Sequence, residues 1–246
     1  MLERQSMSNA PLHPPASSLQ PPSRHDNPFA TCWTKPGALR YHFSDGESAE
    51  YLVSQLASRS WCGAIVGPHG SGKSTLLEAL KPALAEAGCQ VVSVSLHDGE
   101  RRLPTSVWND LKCASEPHSS EPLGSPQREK PAGSLSNLSK PQRLLIIDGY
   151  EQLSCFQRWR FTRYCRGHGI GVLVTSHTPV NFPTQIPTLI TIAPDRALVL
   201  QLVADLTSEV SIPITPEDVA ASHACHGSNV REIFFDLYDR HEQRRR

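Results

Sequence analysis

Residues 61–75 read "WCGAIVGPHGSGKST": an apolar run from Trp61 to Val66, a glycine-rich loop from Gly67 to Gly72, and then Lys73, Ser74 and Thr75. The segment "LLEALKPALAEAG" follows, so the loop joins a buried strand to the start of a helix. Its glycines let the backbone curl until successive N–H groups converge, and the helix N-terminus adds its positive end, which together make a cradle for phosphate oxygens. The spacing Gly67-x-x-x-x-Gly72-Lys73-Ser74 arises by chance in roughly one chain in a hundred of this length. The strand before it and the helix after it are the context that gives it meaning. On this reading Gly67, Pro68, His69, Gly70, Ser71, Gly72, Lys73, Ser74 and Thr75 surround a nucleotide, Lys73 reaches its β- and γ-phosphates, and Ser74 puts its hydroxyl on Mg²⁺. Pro68 and His69 fill free positions of the loop, and His69 is expected at an exposed tip.

Outward from the loop the pattern alternates. "SDGESAEYLVSQLAS", with Ser44 and Glu47 at capping-box spacing, predicts a helix leading into the first strand. A helix from about Gly72 to Ala87, bent at Pro82, then leads to a second strand, Gln90 to Leu96. "TSVWNDLKC" reads as a short helix, "RLLIID" (Arg143 to Asp148) as a strand buried on both faces, and "YEQLSCFQRWRFTRYCRGH" as the next helix. "GVLVTSH" and "TLITIA" supply strands four and five. The expectation is an α/β fold: a parallel sheet of about five strands with helices on both faces, whose strand ends point at one ligand crevice. From residue 194 to 246 three helical pieces, "DRALVLQLVADLTS", "TPEDVAASHACHG" and "SNVREIFFDLYDRHEQ", predict a small lid, with Thr215 capping the second. Residues 1–27 and the insertion 114–142 are rich in Pro and Ser and poor in apolar side chains, which predicts disorder for both. The nucleotide-binding core then spans 28–193.

Bulk composition narrows the partners. Lys plus Arg and Asp plus Glu are 24 each among 246 residues, so no global field draws the chain to nucleic acid or to an acidic membrane, and any such binding must be local. The seven cysteines are odd in number and contain no C-x-x-C pair, which suggests neither a disulfide framework nor a zinc site. No apolar stretch approaches the ~20 residues that span a bilayer, and the expected location is the cytoplasm.

A phosphate cradle that carries Mg²⁺ wants a carboxylate at the end of a neighbouring strand, to orient the cation's water shell opposite the serine. In "LLIIDGYE" four apolar residues precede Asp148, so its carboxylate emerges at the same sheet edge as the loop. From Trp61 to about Ala193 the two motifs resemble the Walker A and Walker B elements of P-loop NTPases. Two details resemble the AAA+ branch: Thr175 and Ser176 at the end of "GVLVTSH", where that branch places a sensor-1 side chain, and "HGSNVREIFFDLYD", similar to its sensor-2 segment. The whole chain also resembles short bacterial P-loop proteins. The resemblance implies that ATP is bound with Mg²⁺ held by Ser74 and Asp148, and that Arg231 senses the γ-phosphate from the lid. The absence of an N/T-K-x-D guanine signature favours ATP over GTP.

The chain departs from the AAA+ pattern where Gly149 follows Asp148 in place of a glutamate. Glu151 is the nearest carboxylate; it reads equally as the water-orienting residue, a role Thr175 could share, or as a first-turn helix residue stabilised by the dipole. His177 after strand four reads as a γ-phosphate contact or as a plain loop histidine. Arg158, Arg160, Arg163 and Arg166, set among Trp159, Phe161 and Tyr164, read as a nucleic-acid stripe, as an arginine finger for a neighbouring subunit, or as the solvated face of a helix whose aromatics pack on the sheet. Three functions stay open: ATP hydrolysis that drives lid movement, phosphoryl transfer to a metabolite by a small P-loop kinase, and a non-hydrolysing switch or scaffold. A protein partner or self-association would use the lid or the arginine-rich helix.

Overall fold

The structure is a computed structural model and describes residues 26–113, 143–181 and 183–245. The expected insertion and all but the last two residues of the expected tail lie outside them. Strands β1 (Cys62–Val66), β2 (Gln90–Ser95), β3 (Arg143–Asp148), β4 (Gly171–Ser176) and β5 (Thr188–Thr191) form one sheet in the order β2-β3-β4-β1-β5. Every neighbouring pair is parallel, as the alternating pattern requires.

Period two explains the two-sided core. Leu144 and Ile146 of β3 face one side, where helices α2 (Ala49–Ser58) and α3 (Lys73–Glu86) bury Leu52, Leu56, Leu76, Leu80 and Leu84. Leu145 and Ile147 face the other, against Val107 and Leu111 of α4 (Thr105–Cys113) and Phe161 and Cys165 of α5 (Cys155–Gly167). Each fully buried leucine in these layers stabilises the fold by ~1.5–3 kcal/mol. The three central strands β3, β4 and β1 therefore hold the loop and Asp148 on a rigid floor.

Three boundaries differ from the sequence reading. The cap of α2 is Ser48, whose side chain accepts from the Tyr51 amide; Ser44 instead closes a turn in which its carbonyl accepts from Glu47 N at 2.9 Å. The helix expected from Tyr150 is broken: a single 3₁₀ turn, Tyr150–Gln152, precedes α5, which starts afresh from the Ser154 cap. The third concerns residues 27–39, which pack with the C-terminal helices. A short helix α1 (Thr31–Thr34) sits in this segment, and buried Phe29 joins the cluster made by α6 (Arg196–Thr207), α7 (Pro216–His226) and α8 (Val230–Arg245). Asn27 is buried as well, and its amide donates to the Glu242 carboxylate on α8 at 2.8 Å.

The α7–α8 pair is fastened electrostatically. Thr215 and Asp218 complete a capping box at the start of α7. Asp218 also accepts a two-pronged contact from Arg244 on α8, the Nη2 branch at 2.7 Å. Arg244 and the Thr215 amide hold the Asp218 carboxyl far below the usual carboxylate range. A depressed folded pKa contributes stability that is fully present above the unfolded value of about 4 and is lost as pH falls through the folded value. Asp218→Asn is therefore expected to lower the melting temperature at neutral pH. Below about pH 4 the gap from the native chain should narrow, which thermal melts across an acid series would read.

Candidate functional site

Gly67 to Gly72 leave β1 and turn into the first residue of α3, Lys73. The ammonium of Lys73 is buried and folds back along the loop, donating to the carbonyls of Gly67 and Pro68, both at 2.7 Å. Burial pulls its pKa below the ordinary lysine value and Arg231 pushes the same way, while Glu151 and Asp148 oppose them. An ammonium has three N–H donors, so one is left for a ligand in the loop.

Ser74, one residue on, donates to Asp148 Oδ2 at 2.7 Å, which brings the two sequence-predicted metal ligands together across 74 positions of chain. Thr175 donates to the other oxygen, Oδ1, at 2.6 Å and accepts from the Gly149 amide at 2.9 Å. Its side chain is wholly buried. Its one hydroxyl proton is taken up by Asp148, a geometry that suits support of that carboxylate better than contact with water. Among the described residues no group of three or more His, Cys, Asp or Glu side chains is placed to hold a metal alone. A cation beside Ser74 and Asp148 must complete its shell with phosphate and water oxygens, which is how Mg²⁺ binds at hard oxygen sites.

Gly149 sits at φ 83°, and a Cβ there would lie 2.7 Å from the Leu96 carbonyl oxygen. No side chain, glutamate included, fits at this position. The carboxylate is delivered instead from the 3₁₀ turn. Tyr150 is fully buried and packs edge-on against Phe161, and Arg158 donates to the carbonyls of Glu151 and Leu153 at 2.7 and 2.8 Å. These contacts fix the turn. Glu151 Oε1 lies 3.1 Å from His177 Nε2, and Glu151 Oε2 is buried with no partner. The His177 ring in turn meets the ring of His69 at 3.6 Å between centroids. Burial holds the His177 imidazole below its ordinary pKa, and Lys73 and His69 add to this against the pull of Glu151. His69 is indeed exposed at the loop tip, but the His69–His177–Glu151 chain was not legible in the sequence, because its members lie on three separate loops.

The C-terminal helices complete the site. The tip of the loop meets the "GSNVRE" segment at the start of α8, where Asn229 Oδ1 accepts from the Glu232 amide. Gly70 has φ 66°, and a Cβ on it would collide with Asn229 Oδ1 and come within 3.0 Å of Arg231 Cβ. Gly70→Ala is expected to cost about 1 kcal/mol or more from the left-handed backbone alone and to push α8 off the loop. Chemical denaturation would read the first effect, and hydrogen exchange over residues 228–234 the second. Between loop, sheet edge and helices lies a cavity of about 730 Å³, lined by Gly70 to Thr75, Asp148, Glu151, Thr175 and Arg231. It is also lined by residues to which sequence reasoning assigned no role, Leu39, Tyr41 and His42 on the N-terminal side and Leu198 and Leu202 of α6. His42 Nε2 bridges 2.7 Å to Asp205 on α6 and ties these two sides together.

No family model and no curated protein sequence matches the chain. Solved structures do match its fold. Cdc6p from Pyrobaculum aerophilum superposes with a TM-score of 0.56 at 13% identity, covering 88% of this chain and 67% of that one. The Orc1 protein of Aeropyrum pernix, solved in complex with DNA, gives 0.50 at 13% identity, covering 87% and 64%. The chain thus spans about two thirds of each of these proteins. Its fold is the one these two structures share: a five-stranded parallel sheet flanked by helices and followed by the C-terminal helices α6, α7 and α8. No helix among the described residues is long and apolar enough to cross a membrane.

Proposed function

We propose that the chain binds a magnesium nucleoside triphosphate, ATP by preference, between the loop and the C-terminal helices, and hydrolyses it to move those helices as a lid. The observation that carries this reading is a pair of buried polar atoms without partners, Ser71 Oγ and Glu151 Oε2, on residues of the same cavity as Lys73 and Asp148. Native structures rarely leave such atoms unsatisfied, and a phosphate with its attendant water would satisfy both. The amides of Gly70 to Thr75 cradle the β- and γ-phosphates and Lys73 bonds them with its free N–H. Ser74 and Asp148 hold Mg²⁺, which when bound neutralises the charge that builds on the phosphate oxygens. Thr175 locks Asp148 in place. The base lies against Leu39, Tyr41, Leu198 and Leu202, which line the same cavity.

In this scheme Glu151 orients a water and accepts its proton as the water oxygen bonds to the terminal phosphorus and the bond to the leaving diphosphate breaks. His177 holds Glu151 from behind. Arg231, brought to the loop tip by α8, pairs with the γ-phosphate and loses that partner on hydrolysis, which couples chemistry to the lid. The lid 194–246 and the rest of the core 28–193 are then the moving parts, with residues 27–39 leaving the core to ride on the lid.

One observation favours a second reading, phosphoryl transfer to a small acceptor: Asp98, just past β2, also lines the cavity, where an acceptor-binding carboxylate would stand. Incubating the full chain with γ-labelled ATP and Mg²⁺ separates the two. Label released as inorganic phosphate without added acceptor supports hydrolysis. Release only when a hydroxylated metabolite is supplied, with label on that metabolite, supports the kinase. Saturable binding with no release in either case would leave a nucleotide-dependent switch.

A further inference from the structure

The helix α5 does not turn all its aromatics to the sheet as an amphipathic helix would. Phe161 does so, and half-buried Tyr164 packs against the same cluster, but Trp159 is 50% exposed and Phe156 64% exposed, with ring centroids 6.2 Å apart. Beside Trp159 a groove of about 1080 Å³ runs between α5, the end of α4 and the connection from β4 to β5. Four cations line it, Lys112 from α4 and Arg160, Arg163 and Arg166 from α5, and no Asp or Glu is among its described lining residues. The three arginines recur every third residue, so they form a stripe about 9 Å long on one side of the helix.

The groove is also built with flat faces. The Arg160 guanidinium lies over the Trp108 ring at 4.8 Å, which holds it in plane. Tyr164 meets Trp108 edge-on at 5.4 Å and stacks on His168 at 4.0 Å. Arg166 reaches across to the opposite wall, with Nη2 3.5 Å from the Gln185 carbonyl. Formal neutrality of the chain means that these charges are concentrated here rather than part of a general excess.

We infer that this groove binds single-stranded nucleic acid, with backbone phosphates along the arginine stripe and unpaired bases against Trp159 and its neighbours. Regularly spaced cations alone suit any polyanion. Solvent-facing aromatic planes interleaved with them suit one whose own flat groups are free to stack. An acidic peptide offers charge without planes, and a duplex buries its planes in its own stack. The site lies apart from the triphosphate cavity and does not depend on the reading of that cavity.

Fluorescence anisotropy of the full chain with labelled oligo(dT) and oligo(U) tests the inference, with a duplex of equal length and polyglutamate as competitors. Saturable binding is expected, weakening steeply between about 50 and 200 mM salt as bound counterions are released. Trp159→Ala should weaken it about tenfold with the salt slope unchanged, since stacking carries no charge. Arg163→Gln should weaken it and flatten the slope by about one counterion. Both positions are exposed, and unchanged melting temperatures will show that the variants fold. No binding of either oligonucleotide by the native chain would overturn the proposal. So would equal competition by polyglutamate or duplex, or equal salt slopes and affinities for the native chain and both variants.

Discussion

Glu151→Gln is expected to leave nucleotide binding intact and to slow phosphate release by 10²–10⁴-fold, the usual worth of a general base. The substitution keeps size and hydrogen bonding, so the His177 contact and the 3₁₀ turn should persist, and only the capacity to take a proton is removed. The expectation rests on three features of the turn. Position 149 has no room for a side chain beneath the Leu96 carbonyl; the Glu151 backbone is fastened by Arg158; and its Oε2 is buried without a partner. A glutamate that merely began a helix would be solvated and dispensable. Single-turnover release of labelled phosphate, beside equilibrium binding of the same variant, distinguishes the cases: unchanged release would remove Glu151 from the chemistry.

Lys73→Ala is expected to raise the Kd for Mg-ATP by about 100-fold or more. A charge-assisted hydrogen bond is worth roughly 1.5–3 kcal/mol, and the ammonium is buried and already aimed along the loop by two carbonyls. Its removal costs both the phosphate contact and a positive charge that offsets the triphosphate in a site that also holds the carboxylates of Glu151 and Asp148. Arginine at this position should not rescue, because a planar fork cannot follow the curl of the loop. Affinity measured by calorimetry with a circular-dichroism check on folding reads this effect; native-like affinity would place the phosphates elsewhere.

The sheet was legible because its signals are local. "WCGAIV" and "RLLIID" announce buried strands by composition, the loop between strand and helix by its glycines, and Thr215 its helix by the residue type at the cap. Ser74 and Asp148, 74 positions apart, were paired from chemistry alone, and the structure joins them by a hydrogen bond. Features that depend on tertiary approach were not legible. The helix expected from Tyr150 breaks because Tyr150 itself is drawn into the core, and nothing in "YEQLSC" signals that. Residues 28–39 read as part of the nucleotide-binding core with no element of their own, yet Phe29 is buried in the C-terminal cluster. The face on which Trp159 and Phe156 stand is opposite to the one that amphipathicity predicts, since α5 meets the sheet through Phe161 and Cys165 and leaves the larger rings outside.

Titration calorimetry of the full chain with ATP, with and without Mg²⁺, tests the central claim most directly. The account predicts a saturable heat at one nucleotide per chain, tighter with the cation present and greatly weakened by Lys73→Ala. Folded protein that gives no heat with ATP or GTP, Mg²⁺ included, would contradict it.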